Sequence, residues 1–372
     1  MLQHPAPTTP AASAAPAGST ITWTDPARHA DFDRWWAQVH VAHGLDSDSL
    51  HLASADASFR RYFRVGSAKG SCIVMDAPPD KENCQPFADV AALLQSAGLR
   101  APEVLDWNAA HGFMLLSDLG QHTMMQSMDP TAPPPLDLYL GAVDTLVQWQ
   151  LASKPGVLPP YDQALLLHEL ELFPQWYLSA HRQITLDTAQ RKVLDDSFAL
   201  LIQNNLSWPS VYVHRDFMPR NLMVPVAGLP PTLDATTLGV LDFQDAVYGP
   251  ITYDIASLMR DAFLTWEEDF CLDVTIRYWQ KARKAGLPVG DDFGEFYRAV
   301  EWMGLQRHLK IAGIFARLTL RDGKPQYLAD TPRFIHYIRS TCNRYRELKP
   351  LLRLVEKVEG IDMPNVFAFG RS

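Results

Sequence analysis

The sequence predicts an α+β fold with two lobes, a small mixed-sheet N-lobe and a larger, mainly helical C-lobe. Two observations lead to this prediction. Between residues 21 and 117 short strand-like runs alternate with two helical patterns, and past Gly120 long helical patterns dominate. We therefore divide the chain into a disordered tail at 1–20, an N-lobe at 21–117 and a C-lobe at 118–372. A chain of 372 residues is long enough for two separate cores.

The N-lobe opens with a helical pattern that ends at Gly44, which we expect to cap it. Three strand-like runs follow, and then a helical pattern that closes at Gly98. Two more strands complete the lobe, with "AAHG" as their turn. The runs are, in order, "LHLAS", "RRYFRV", "SCIVMDA", "CQPFADVAALLQSAGL", "PEVLDWN" and "GFMLLSDLG". This order predicts a small mixed sheet that carries a helix.

The C-lobe begins with long helical patterns, the second of which runs without a break through "YDQALLLHELELFPQWYLSAHR". Two strand-like segments interrupt these patterns, "VYVHRDFMPRNLMV" at 211–224 and "LGVLDFQDA" at 238–246. Helices resume at "YDIASLMRDAFL" and continue nearly to the end of the chain. We expect a small-molecule site in the cleft between the two lobes, which is a common place for one.

Composition excludes several classes of function. The chain carries 33 Lys and Arg against 42 Asp and Glu, a net charge of -9, which argues against a nucleic-acid partner. Four scattered cysteines form neither a zinc nor a disulfide pattern. No apolar run reaches the roughly 18 residues of a membrane span, and the N-terminal stretch lacks the features of a signal peptide. We expect a cytoplasmic monomer that has no membrane partner.

A loop flanked by apolar strands carries an acid and an amide at fixed spacing. Asp216 follows the first strand and is placed to accept a proton from a hydroxyl, and Asn221 offers a neutral oxygen that suits a hard cation. Asp242 ends a later strand, and it can share Mg²⁺ with Asn221 if the two strands are antiparallel neighbours. With His214 at its start, this set matches the H-R-D-x-x-x-x-N and D-F-G template of phosphoryl transfer, with Gln244 in place of the final Gly. The alternative is a strand end and a turn without chemistry.

The chain resembles the aminoglycoside phosphotransferase-like kinases, and among them the bacterial anomeric kinases for N-acetylmuramate and N-acetylglucosamine of cell-wall recycling. The segments that carry the resemblance are "DASFRRYFRV", "IVMDAPP", "HRDFMPRNLM", "LDFQDAVYGPITYDIASL" and "GLQRHLKIAGIFARL". The resemblance implies a protein-kinase-like fold with a nucleotide-binding N-lobe and a catalytic, acceptor-binding C-lobe. It also implies ATP and Mg²⁺ as cofactors and an amino sugar as the substrate.

The resemblance implies roles for individual residues. Asp216 matches the catalytic base, and Asn221 and Asp242 match the metal ligands. His214 and Asp254 match residues of structural support, with Asp254 accepting backbone N–H groups of the catalytic loop. A helix N-cap is the alternative for Asp254. The nucleotide-binding residues implied are a phosphate-covering hairpin and a hinge that bonds adenine: Ser58, Arg60, Arg61, Arg64, Ser117, Asp118 and Leu119.

One position departs from the kinase pattern. Kinases of this shape carry a Lys on the third strand, paired with a helix Glu, whereas "CIVMDA" places Met75 there. Asp76 follows and would repel phosphate. We expect one or more of the hairpin arginines Arg60, Arg61 and Arg64 to hold the phosphates instead. The alternative is a solvated edge strand whose charges prevent aggregation.

No sequence motif defines which residues bind the acceptor. The helical residues that suit a sugar are Glu169, Glu171, Trp176 and Tyr177. The basic residues in apolar helices that suit a carboxylate are Arg260, Arg307 and Lys310. Core packing and surface exposure are the alternatives. Arg220, inside the catalytic loop, is predicted to stabilise the transferring phosphoryl group.

Taken with the resemblance, these residues predict an ATP-dependent kinase acting at C1 of the two N-acetyl sugars. A kinase for choline, homoserine or an aminoglycoside is an alternative, because Asp245, Asp254 and Asp261 suit a cationic acceptor. A pseudokinase without turnover is the other alternative. The missing Lys favours it, and the intact Asp216, Asn221 and Asp242 argue against it.

Overall fold

A computed structural model describes residues 21–55, 59–129, 131–225, 228–230 and 232–361. The predicted tail at 1–20 and the predicted phosphate residue Ser58 lie outside the described residues. The described strands are β1 (Leu45–Ala55), β2 (Arg61–Ser67), β3 (Gly70–Asp76), β4 (Val104–Asn108), β5 (Phe113–Ser117), β6 (Ser210–Val213), β7 (Leu222–Met223), β8 (Gly239–Val240) and β9 (Val247–Pro250). The described α-helices are α1 (Pro26–His43), α2 (Gln85–Ser96), α3 (Leu136–Leu151), α4 (Gln163–Leu172), α5 (Thr188–Leu206), α6 (Thr252–Met259), α7 (Glu268–Lys284), α8 (Phe293–Leu320), α9 (Thr331–Arg344) and α10 (Lys349–Glu359).

The chain divides into two compact units. The first comprises the described residues of Met1–Trp149 and Pro219–Asp245, and the second those of Gln150–Met218 and Ala246–Ser372. The first unit therefore continues past residue 118 and includes a second chain segment. The predicted lobe boundaries at 20/21 and 117/118 stay a prediction.

A five-stranded sheet in the order β1-β2-β3-β5-β4 forms the centre of the first unit. All of its described pairings are antiparallel, so the mixed sheet expected from the sequence is corrected in this detail. The reason is that β5 lies between β3 and β4, which run in the same direction, and separates them. The α+β class itself is confirmed.

Helix α1 packs its aromatic face on this sheet. Asp25 caps its first turn and Gly44 ends it with φ of 62°, a left-handed conformation that glycine adopts easily. The buried cluster between helix and sheet comprises Phe32, Trp35, Trp36, Val39, Leu45, Phe63, Val65, Val74, Phe113 and Leu115. Since Phe63 and Val65 alternate with Tyr62 and Arg64, β2 has one face against α1 and one face away from it.

Helix α8 lies at the centre of the second unit. It is buried without interruption from Ala299 to Gly313, which is typical of a helix surrounded by others. The π-helical segment Phe173–His181 directly follows α4, where the sequence predicted one continuous helix. Pro174 accounts for the difference, because it has no N–H to continue the α-helical hydrogen bonds. Within the described residues, no helix is both long and apolar enough to cross a bilayer.

Candidate active site

The loop that carries Asp216 follows β6, which pairs with β9 in the second unit. Its start is held by Asp254 in the first turn of α6. The two oxygens of Asp254 accept the backbone N–H groups of His214, at 2.7 Å, and Arg215, at 3.0 Å. These are the hydrogen bonds that the family resemblance implies. The N-cap alternative is wrong, because α6 begins at Thr252 and Ile251 is its N-cap.

Burial is the largest influence on Asp254. The carboxyl group is fully buried, and burial raises its pKa to about 7, although the two backbone hydrogen bonds and the charge of Arg307 act in the opposite direction. The His214 side chain is also buried, and its ring meets that of Phe217 edge-on. Asp254 thus holds the backbone at the start of the loop, and a support role for the His214 side chain stays a prediction.

Arg215 adopts a backbone conformation that favours glycine. Its φ is 75°, which costs a non-glycine residue roughly 1–3 kcal/mol. Two contacts offset this strain. Its guanidinium pairs with Glu169 of α4, and its carbonyl oxygen accepts an N–H from Nη1 of Arg307. The conformation at Arg215 therefore depends on side chains from α4 and α8.

Asp216 lies in a positive electrostatic environment. Its side chain is 39% exposed, and one carboxylate oxygen is 3.8 Å from Nη2 of Arg307. Partial burial acts to raise the pKa of Asp216, but the charges of Lys310, Arg307 and Arg215 outweigh it and hold the pKa below the ordinary value. The carboxylate is thus ionised at neutral pH and able to accept a proton.

A buried cluster behind Asp216 fixes these cations. Glu169, only 3% exposed, accepts hydrogen bonds from Tyr161, Arg215 and Lys310. The Lys310 amine also lies 3.1 Å from the hydroxyl of Tyr253. The sequence suggested Glu169 and Lys310 as acceptor contacts, but it did not predict that Glu169 pairs with both Lys310 and Arg215.

The predicted metal ligands flank the two-stranded sheet of the first unit, with Asn221 directly before β7 and Asp242 two residues after β8. Strands β7 and β8 pair antiparallel, as the shared metal site requires, and the N–H of Leu241 donates to the carbonyl of Asn221. The amide nitrogen of Asn221 is 3.3 Å from an oxygen of Asp242. Asp242 has φ of 62°, and the following Phe243 is buried against Phe87 of α2, with ring centroids 4.9 Å apart.

This pair fits Mg²⁺. The ion prefers hard oxygen ligands and is usually bound by one or two protein groups, with waters and substrate phosphates completing its shell. An amide oxygen from Asn221 and a carboxylate from Asp242 provide such a set. Among the described residues there is no cluster of three or more His, Cys, Asp or Glu side chains with metal-site geometry, so a metal held entirely by such side chains is not indicated there. Arg220, beside Asn221, is half-buried in the short 3₁₀ turn Pro219–Asn221.

The three hairpin arginines have different partners. Nη2 of Arg60 pairs with Glu82 at 3.1 Å. Arg61 pairs with Asp76 and lies over the ring of Trp23, on the face of the sheet that carries α1. The carboxylate of Asp76, which the sequence predicted to repel phosphate, is also paired with Arg28 of α1. Phosphate contacts for Arg60 and Arg61 stay a prediction.

Arg64 connects the hairpin to the predicted hinge. It pairs with Asp118 and donates to the carbonyl of Gly120. Asp118 also accepts from Ser71, and these contacts, together with a backbone N–H, hold its pKa below the ordinary value in spite of burial.

The other predicted hinge residues have hydrogen-bond partners in the same unit. The N–H of Ser117 donates to the carbonyl of Glu103, and the hydroxyl of Ser117 accepts the N–H of Glu103. The carbonyl of Leu119 accepts from Arg100. Nucleotide contacts of Arg64 and of this hinge stay a prediction.

Four of the predicted acceptor residues are dispersed through the second unit. Arg307 comes to 3.8 Å from Asp216, whereas Glu171 pairs with Arg191 of α5. Arg260, which is 6% exposed, pairs with Glu301 of α8. Trp176 is half-buried in the π-helical segment. Their roles toward an acceptor stay predictions.

Comparison with known proteins adds a family and its relatives. The chain matches the family described as "Phosphotransferase enzyme family" over residues 49–293. It is 47% identical over 338 residues to an N-acetylmuramate/N-acetylglucosamine kinase of Neisseria meningitidis serogroup B, covering 90% of this chain and 96% of that protein. A Pseudomonas aeruginosa protein of the same name is 45% identical over 323 residues, covering 86% and 90%. The solved structure of an ADP-bound aminoglycoside phosphotransferase superposes with a TM-score of 0.54 at 13% identity, covering 82% of this chain and 97% of that one. This likeness confirms the predicted fold class.

Proposed function

The chain belongs to the phosphotransferase enzyme family, and we propose that it is an ATP-dependent kinase for the C1 hydroxyl of N-acetylmuramate and N-acetylglucosamine in peptidoglycan recycling. The observation that carries the proposal is the identity of 47% and 45% to two kinases for these sugars, over at least 86% of the chain. The side-chain chemistry of Asp216, Asn221 and Asp242 supports it, because each residue is of the type that phosphoryl transfer needs.

Asp216 orients the sugar hydroxyl and takes up its proton. A carboxylate with a lowered pKa is a weak base, which is sufficient here because an anomeric hydroxyl is more acidic than an ordinary alcohol. Orientation then accounts for most of its contribution. Asp254 and Glu169 act indirectly, since they hold the backbone and the cations around Asp216.

The nucleotide is ATP, as the ADP in a related fold supports. Asn221 and Asp242 would hold Mg²⁺, which would supply positive charge to neutralise the phosphate oxygens. The backbone of Ser117, Asp118 and Leu119 binds the adenine. Arg220 stabilises the transferring phosphoryl group, and at least one of the hairpin arginines contacts the remaining phosphates.

For the acceptor we propose contacts with Glu171, Trp176, Arg260 and Arg307. Arg307 is supported by its position beside Asp216. We also propose a cytoplasmic monomer with no membrane or nucleic-acid partner. The net charge of -9 supports only the last of these statements. Light scattering during size exclusion tests the oligomeric state, and a mass near 41.8 kDa is expected.

An acceptor panel tests the proposal. ADP release is measured with Mg-ATP and N-acetylmuramate, N-acetylglucosamine, glucosamine, choline, homoserine or kanamycin. Turnover with the two N-acetyl sugars, and its loss in Asp216→Asn, is the expected result. Turnover with choline, homoserine or kanamycin alone would keep the family and overturn the substrate.

A further inference from the structure

Met75 occupies the position at which a kinase would carry a phosphate-binding lysine. In the general kinase arrangement, a lysine on the third strand pairs with a glutamate of the following helix and contacts the nucleotide phosphates. Here Met75 of β3 is fully buried between β2 and β5 and carries no charge. A kinase with this sequence therefore needs its cation from another element.

The strand register identifies where that cation can come from. Tyr62 of β2 pairs with Met75 of β3, and Arg61 pairs with Asp76. Side chains directly across an antiparallel pair share a face, and side chains two residues apart along a strand also share one. Arg60 precedes Tyr62 by two residues. It therefore lies toward the same face of the sheet as Tyr62 and Met75. Arg61 lies on the opposite face.

Arg60 forms the ion pair that Met75 cannot form. Its Nη2 is 3.1 Å from Oε2 of Glu82, and the other oxygen of Glu82 accepts the backbone N–H of Phe59 at 3.2 Å. The side chains of Arg60 and Glu82 are 8% and 14% exposed, so solvent screens the pair less than it screens a surface ion pair. Glu82 lies shortly before α2, the helix that follows β3.

The charge on Arg60 is secured by its surroundings. Burial acts to lower the pKa of Arg60, but contacts with Tyr62 and Glu82 outweigh it, and the pKa lies above its ordinary value. A guanidinium carries five N–H donors in a rigid fork, so one arginine can hold a carboxylate and a phosphate oxygen together. By contrast, Arg61 and Arg64 are directed to Asp76 and Asp118.

We propose that Arg60 and Glu82 together replace the missing third-strand lysine and its glutamate. Arg60 contacts the nucleotide phosphates, and Glu82 is a positioning residue that holds the guanidinium in place. This inference rests on the proposed use of ATP but not on the identity of the sugar.

Nucleotide binding measured without an acceptor tests the inference separately from the sugar. The dissociation constant of Mg-ATP is determined by calorimetry for the wild type, Arg60→Met, Arg60→Lys, Glu82→Gln and the double variant Arg60→Met with Met75→Lys. Arg34→Met is the matched control, because Arg34 lies in an exposed ion pair with Asp31 in the same unit. Thermal unfolding of each variant shows whether it is folded.

The expected result is a weakening of Mg-ATP binding by about 10- to 100-fold in Arg60→Met, the usual loss for a hydrogen bond to a charged group. Arg60→Lys and Glu82→Gln weaken binding less, and Arg34→Met leaves it unchanged. In the double variant the lysine introduced on β3 restores the charge from the neighbouring strand, and affinity recovers by at least about fivefold. Binding within twofold of the wild type in Arg60→Met, or an equal loss in the single and double variants, would overturn the inference. Sugar turnover in the wild type tests the proposed function independently of either result.

Discussion

Protonation of Asp254 is expected to lower the activity of this protein as the pH falls through neutrality. Its carboxylate accepts the backbone N–H groups of His214 and Arg215, and burial raises its pKa to about 7. When one carboxyl oxygen binds a proton, that oxygen becomes a donor and accepts less well. One of the two backbone hydrogen bonds is then lost, and the peptide before Asp216 is no longer fixed.

The magnitude follows from the pKa. With a pKa of about 7, the ionised fraction falls about tenfold for each pH unit well below 7, and it is about 3% at pH 5.5. We therefore expect kcat/KM at pH 5.5 to be about 3% of its value above pH 8. The acid limb of the profile has its midpoint near pH 7.

Stability changes in the opposite direction. The pKa of Asp254 is higher in the folded protein than the ordinary 3.8, so the folded state binds this proton more tightly than the unfolded state. The stabilisation that this proton gives the folded state is fully present below the pKa of Asp254 in the unfolded chain. It is lost as the pH rises through the pKa of Asp254 in the folded protein. Between pH 5.5 and pH 8.5 the loss amounts to about 2 kcal/mol, from 1.5 pH units at about 1.36 kcal/mol each.

The assay is ADP release at saturating Mg-ATP with N-acetylglucosamine, from pH 5 to 9, beside urea unfolding at both ends of the range. Asp254→Asn has lower activity throughout but lacks the limb near pH 7, and its unfolding free energy lacks the 2 kcal/mol dependence. Since both proteins share the same substrates, ionisation of ATP cancels in the comparison. Asp196→Asn, an exposed carboxylate paired with Lys192, is the control that keeps the limb. An acid limb near pH 7 that persists in Asp254→Asn would show that a group other than Asp254 causes the loss of activity.

Three further predictions concern the site. Asp216→Asn lowers kcat by about 10²- to 10⁴-fold in the ADP assay while leaving Mg-ATP affinity in calorimetry unchanged, and a loss below tenfold would contradict its role. Asp242→Asn raises the Mg²⁺ concentration needed for half-maximal activity by about tenfold or more, and an unchanged Mg²⁺ titration would remove it from the metal site. Glu169→Leu lowers the free energy of unfolding by about 3–5 kcal/mol in urea denaturation, because the buried cations of Arg215 and Lys310 lose their carboxylate. A change below about 1 kcal/mol would show that the buried pairs contribute little.

The elements of the first unit were predictable because their patterns are local. Apolar residues alternate in β2, and Gly44 follows α1 at the position where a left-handed residue is needed. The spacing of Asp216, Asn221 and Asp242 also predicted phosphoryl transfer, and the family match confirms that class of reaction. In the structure, β7 pairs with β8, and the amide nitrogen of Asn221 lies 3.3 Å from a carboxylate oxygen of Asp242.

Other features depend on partners that are distant in sequence. Nothing near Arg60, Arg61 or Arg64 specifies that they pair with Glu82, Asp76 and Asp118. The positive φ of Arg215 could not be predicted either, because an arginine disfavours this backbone conformation. Tertiary contacts with Glu169 and Arg307 hold it there.

The end of α4 within residues 161–182 was also not predicted from the sequence. Its apolar spacing predicted one helix, but a π-helical segment begins after Leu172. At this point α8 approaches closely: a Cβ added to Gly313 would come within 2.4 Å of the Leu172 backbone. Pro174 was visible in the sequence as a helix breaker, whereas the close approach of α8 was not.

Phosphorylation at C1 can be tested directly by ³¹P NMR of the product formed from Mg-ATP and N-acetylmuramate. We expect a sugar 1-phosphate, identified by coupling of the phosphorus to the anomeric proton, and its absence with Asp216→Asn. A phosphate on another hydroxyl would contradict anomeric transfer, and no phosphorylated sugar from either N-acetyl sugar would contradict the proposed activity.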